Sequence, residues 1–82
     1  MKQVKNYALS ILTRKFSMML PEGFEILGLT HSSPDDLITV LEDPERSQRW
    51  ADFVMVNERE EVPYGARFIG RSSHNFFVFI VP

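Results

Sequence analysis

No cysteine occurs in the 82 residues, which removes disulfide stapling, thiolate chemistry and cysteine-ligated zinc. A chain this short buries only about 60–65% of the surface it exposes when unfolded. Without staples or metal it stands on its core, or on association with another chain. No run approaches the ~18–20 apolar residues of a membrane helix. The four glycines stand singly, so no glycine-rich loop cradles a phosphate. Acid is absent from residues 1–20, which hold Lys2, Lys5, Arg14 and Lys15. That basic start has its apolar positions broken by Asn6, Ser10 and Arg14, which argues against a signal peptide. The expectation is a cytoplasmic protein with no membrane partner.

What is present is ordinary for a globular domain, 44% hydrophobic and 24% charged, which argues against disorder. All eleven acids fall in residues 21–61, against Arg46, Arg49 and Arg59, and the net charge is −2. Nucleic acid is disfavoured as a partner, because phosphate binding needs clustered cations. The uneven charge reads most simply as solvated faces.

Turn signals recur at Pro21-Glu22-Gly23, Ser32-Ser33-Pro34-Asp35, Asp43-Pro44-Glu45, Pro63-Tyr64-Gly65 and Ser72 to Asn75. Short β-branched and aromatic runs lie between them. This pattern predicts a mainly β fold: one domain over 1–82, a small antiparallel sheet or barrel-like domain closed by a C-terminal hairpin. In "RWADFVMVN", Trp50, Val54 and Val56 share one face while Ala51, Phe53 and Met55 share the other. In "FEILGLTH", Phe24, Ile26 and Gly28 alternate with Glu25, Leu27 and Leu29. Two segments leave room for a short helix. Residues 4–20 carry Leu9, Leu12, Phe16 and Met19 at helical spacing but also Tyr7, Leu9 and Ile11 at period two. Residues 34–42 follow a helix start, with Ser33 as cap, Pro34, Asp35 and Asp36, yet Ile38-Thr39-Val40 is β-branched throughout. The reading favours strand for both.

The order of landmarks resembles a family of small domains of unknown function encoded mainly by tailed bacteriophages. Leu20-Pro21-Glu22-Gly23-Phe24-Glu25-Ile26-Leu27 fits the family's early turn, Leu41-Glu42-Asp43-Pro44 its leucine-rich strand end, and Phe68-Ile69-Gly70-Arg71 its late step before a short apolar C-terminal strand. Where family members often carry Gly-Thr-Gly, this chain has Asn57-Glu58-Arg59. The resemblance implies a phage-derived, cytoplasmic, mainly β protein and attaches no activity to it.

No constellation supports an enzyme. His31 and His74 sit in turns beside serines, with Asp35 and Asp36 near the first. Nucleophile, base and orienting group need mutual hydrogen-bond geometry, which adjacency in sequence does not supply. Turn capping by Ser32, Ser33 and Asp35 is the simpler reading. The same residues lack the ligand spacing of a metal site, and no cofactor is expected. "HNFFVFIV" looks like an aromatic strand on which bases stack, although an acidic domain suits that poorly.

The final run is greasy on both faces: six apolar residues, Phe76 to Val81, precede Pro82. An even-numbered loop between "ARFIGR" and "FFVFIV" would pair Arg71 with Phe76, Ile69 with Val78 and Arg67 with Ile80. The opposite face then gathers Ala66, Phe68, Gly70, Phe77, Phe79 and Val81 and reads as the core, with Phe24, Ile26 and Phe53. The stripe Ile69, Phe76, Val78 and Ile80, flanked by Arg67 and Arg71, reads as an association surface, since an apolar patch rimmed by charge marks an interface. Partners expected there are a second copy of the chain, giving a homo-oligomer, or a host or phage protein. The alternative is a sequestering oligomer in which Arg67, Arg71, Trp50 and Tyr64 grip an anionic small ligand such as a nucleotide. Trp50 is otherwise expected in the core.

Overall fold

The computed structural model describes residues 1–9, 13–32 and 35–82. Seven strands follow one another: β1 (Gln3–Ala8), β2 (Lys15–Pro21), β3 (Glu25–Thr30), β4 (Leu37–Glu42), β5 (Gln48–Val56), β6 (Arg67–Arg71) and β7 (Phe77–Val81). They form two antiparallel sheets, one of order β1-β4-β3 and one of order β2-β5-β7-β6. There is no helix among the described residues, and none long and apolar enough to cross a membrane. Neither segment that left room for a helix holds one among its described residues. The ladder partners of residues 37–42 reward their β-branched centre, and residues 4–20 contribute β1 and β2. The Ser33–Pro34 helix start lies outside the described residues.

The sheets pack face to face with the core between them, and the β3 and β6 edges lie against each other. The domain is barrel-like without closing into a continuous ladder. Alternation decides what goes inside. β5 sends Ala51, Phe53 and Met55 inward, β4 sends Ile38 and Val40, and β2 delivers Leu20. Phe16 stacks on Phe53, its cross-strand partner, with ring centroids 5.0 Å apart. Phe24 and Ile26 pack at the core's margin.

The faces of the C-terminal hairpin are the reverse of the expected ones. Val78 has no exposed surface, and Ile69, Phe76 and Ile80 pack on the core. Phe68, Phe77 and Phe79 point to the other side, and Phe68 is 58% exposed. Two features cause this. Arg71 pairs with Phe77, not Phe76, so the connecting loop is odd. The ladder also slips between Phe68 and Gly70, while Arg67 still opposes Ile80. A bulge sets two residues against one, and here Ile69 and Gly70 oppose Val78. Both face the opposite sheet: a Cβ on Gly70 would stand 3.1 Å from the Leu29 side chain. The second neighbour of β7 then fixes which face is inside. β5 sets Met55 opposite Val78 and Phe53 opposite Ile80, but Val54 opposite Phe79 and Val56 opposite Phe77. The aliphatic stripe therefore joins the core residues of β5, and the phenylalanines join its outer row.

A similar slip affects β3. The ladder shifts between Ile26 and Gly28, so Leu29 rather than Gly28 follows Ile26 onto the inner face.

Candidate functional site

The outer face of the four-stranded sheet is a largely apolar surface assembled from all four strands. Across it run the rows Lys15, Val54, Phe79, Phe68 and then Val56, Phe77, Arg71. Ser17, Asp52 and Val81 form a third row, and Met19 with Trp50 a fourth. The Phe68 ring meets Phe79 edge-on at 5.5 Å and Phe77 at 6.3 Å. The Arg71 guanidinium lies 5.0 Å over the Phe77 ring. Aromatic pairs of this geometry contribute about 0.5–1.5 kcal/mol beyond their burial.

Part of this face is covered from within the chain. β5 and β6 are not neighbours, so residues 57–66 must cross β7, and their path covers Val54 and Val56. Val62 is half-buried in this crossing. Glu60 pins it: its carboxylate accepts the Asn57 N–H at 2.6 Å and pairs with Arg14. The Asn57 N–H first, then Arg14, hold that carboxyl below its ordinary range. A groove of about 360 Å³ remains between the crossing segment and β2, walled by Lys15, Ser17, Asp52, Val54, Val81 and Pro63. Ser17 donates to Asp52 at 2.5 Å across its floor.

The expected site residues are dispersed. Ile69, Phe76, Val78 and Ile80 belong to the core side. Arg67 lines the β3–β6 seam with Ile26 and Ile80, and Arg71 caps Phe77 on the outer face. Tyr64 is fully exposed on the crossing segment. Trp50, expected in the core, is 70% exposed beside Met19. Arg67, Arg71, Trp50 and Tyr64 do not converge on one cavity. Lys15 and its groove were not singled out by sequence. The signal for them lay in β5, whose second face is also apolar at Val54 and Val56, as befits a central strand covered on both sides over that part of its length.

At one pole His31 and Asp36 from one turn region meet Ser72, Ser73 and His74 from the other. His31 donates from Nε2 to the Arg71 carbonyl at 2.7 Å, tying the two sheets. Asp36, 1% exposed, accepts the Ser73 N–H at 2.7 Å. Burial, its largest influence, pushes the Asp36 carboxyl up, but the Ser73 donors, His31 and the Ser32 N–H together hold it below its ordinary value. Ser72 Oγ accepts the N–H groups of His74 and Phe76. Asp36 thus grips backbone rather than imidazole, and the cluster organises a turn. Among the described residues no three His, Asp or Glu side chains converge for a metal ion. Comparison with protein-family models, curated proteins and solved structures finds no match to this chain.

Proposed function

We propose that this chain is a small protein-binding module that engages its partner through the outer face of the C-terminal sheet, with Phe68, Phe77 and Phe79 at the centre. Trp50 and Tyr64 extend the surface, and Lys15 and Arg71 rim it. One observation carries the reading: Phe68 stands 58% exposed on a sheet face where the crossing segment could have covered it. Large apolar side chains grouped on one face and edged with charge suit partner recognition. The likeness to the phage family makes a host or phage protein in the cytoplasm the natural partner.

The test is a pull-down from bacterial lysate with the parent chain and with Phe68→Ser, both checked for folding by circular dichroism. The expected result is a stoichiometric protein band retained by the parent and lost by the variant. A band retained equally by both would overturn the reading. So would a nucleotide in the heat-released fraction with no protein band.

A further inference from the structure

We propose that β2 is an association edge, at which two copies of this chain pair about a two-fold axis through Ser17 and fuse two four-stranded sheets into one. This deepens the binding-module reading by naming a second copy as one partner, at a surface separate from the phenylalanine cluster.

The derivation starts from hydrogen-bond parity. The Arg14 carbonyl accepts from Met55 N–H at 2.7 Å, and Glu22 N–H donates to the Ser47 carbonyl at 2.8 Å. Between them the register with β5 runs without a slip. In an antiparallel ladder, residues alternately turn their backbone groups toward one neighbour and then the other. Phe16, Met18 and Leu20 therefore bond to β5, and Lys15, Ser17 and Met19 turn their N–H and C=O groups away. Pro21 falls in the outward set, where a missing N–H removes no ladder bond. Nothing lies beyond β2 in the sheet among the described residues. The side chains agree: Phe16 and Met18 are only half-buried, while their β5 partners Phe53 and Ala51 are buried.

A second copy fits this edge. With the axis at Ser17, Lys15 meets Met19 of the other copy, Ser17 meets Ser17, and Met19 meets Lys15. Each pair joins two outward-facing residues and exchanges two hydrogen bonds. An axis shifted by one residue leaves an outward group of β2 facing Pro21 or a residue outside the strand. On the outer face, Lys15 has no ion pair among the described residues. It arrives one strand from the exposed Trp50 of the other copy, within reach of a cation–π contact. On the inner face Phe16 comes opposite Met18, covering the flank each leaves open and adding a sulfur–aromatic contact. Lysine and proline on an edge ordinarily discourage pairing. Here Pro21 lies outside the paired span, and Lys15 gains an aromatic neighbour.

Sedimentation equilibrium from micromolar to high micromolar concentration tests this. The parent should dimerise. Ser17→Pro removes an outward N–H without touching the β5 ladder, so it should be a folded monomer. Met19→Glu, opposite Lys15, should tighten the dimer and Met19→Lys should loosen it, each by between about twofold and thirtyfold for two symmetric contacts. Should Ser17→Pro fail to fold, the opposite signs at Met19, an exposed position, carry the test. A parent monomeric throughout the range overturns the proposal, as does a folded Ser17→Pro dimer or two Met19 variants shifting together. Phe68→Ser should leave the dimer intact. Dissociation by Phe68→Ser alone would mean that the copies meet on the outer face instead.

Discussion

At residue scale, Val78→Asp sets a carboxylate opposite Met55 in a position with no exposed surface. An unpaired charge there costs several kcal/mol, which approaches the whole stability of a small domain. The variant should lack a cooperative melt by circular dichroism, while Phe68→Ser keeps one; a normal melt for Val78→Asp would put the aliphatic stripe outside. A second residue-scale prediction concerns Tyr7, whose hydroxyl donates to the buried Glu42. Burial first, then the hydrogen bond to Glu42 and its charge, push the phenol up to about 12. The native state keeps that proton where an unfolded chain's phenol, near 10, has released it. The contribution is therefore complete below about pH 10 and is lost as pH rises through about 12. Tyr7→Phe leaves Glu42 without this donor and should lose about 1–3 kcal/mol at pH 7. In urea unfolding, its deficit relative to the parent should shrink between pH 10 and 12; a constant deficit would contradict the contact.

At the scale of elements, much was legible and the failures share one cause. The turns at Pro21–Gly23 and Asp43–Glu45 and the two faces of β5 follow from local residue chemistry, and they stand as read. Bulges leave no such mark. One extra residue at Leu27 and one at Ile69 invert the faces beyond them, yet "ILG" and "FIG" alternate as smoothly as any strand. Hairpin parity, moreover, sorts residues into two sets without naming the inner one; β5 does that, from more than 20 residues away in the chain. The aromatics misled for a related reason. Phe68 and Trp50 look like core because of their size, but the core filled with Leu9, Leu20, Ile38, Met55 and Val78 instead. The crossing segment offers its own test. Arg59 sits at φ 72° in the turn after β5, a conformation that costs a side chain roughly 1 kcal/mol and glycine almost nothing. Arg59→Gly should raise stability by up to about 1 kcal/mol. Gly65, at φ 82°, has the Pro82 ring 3.1 Å from where a Cβ would stand, so Gly65→Ala should lower stability by 1 kcal/mol or more. Denaturant midpoints with unchanged slopes would check both, and shifts of the same sign would mean that the crossing segment is differently folded.

At the scale of the whole molecule, the outer sheet face invites comparison with the stacking platforms of single-strand nucleic-acid binders, since three phenylalanines line two adjacent strands. The charge distribution points the other way. Tight phosphate binding needs several free cations around the platform, because counterion release is its main source of affinity. Here Lys15 shares its groove with Asp52, Arg14 is engaged by Glu60, and Arg71 is stacked on Phe77. Lys2 and Lys5 belong to the other sheet, on or just before β1. The rings are also poorly placed for stacking, since Phe68 leans on both Phe77 and Phe79 and leaves them half-buried. A base would have to displace Phe68 or accept it as its sole platform, and one stacked base contributes only about 1–3 kcal/mol. The domain should therefore bind neither random single-stranded nor duplex DNA tighter than about micromolar at physiological salt. Fluorescence anisotropy with labelled oligonucleotides at several salt concentrations measures this directly. Submicromolar binding that weakens steeply with salt and is lost in Phe68→Ser would convert the outer face from a protein surface into a nucleic-acid one. Binding that weakens with salt but survives Phe68→Ser would instead implicate the cations of β1.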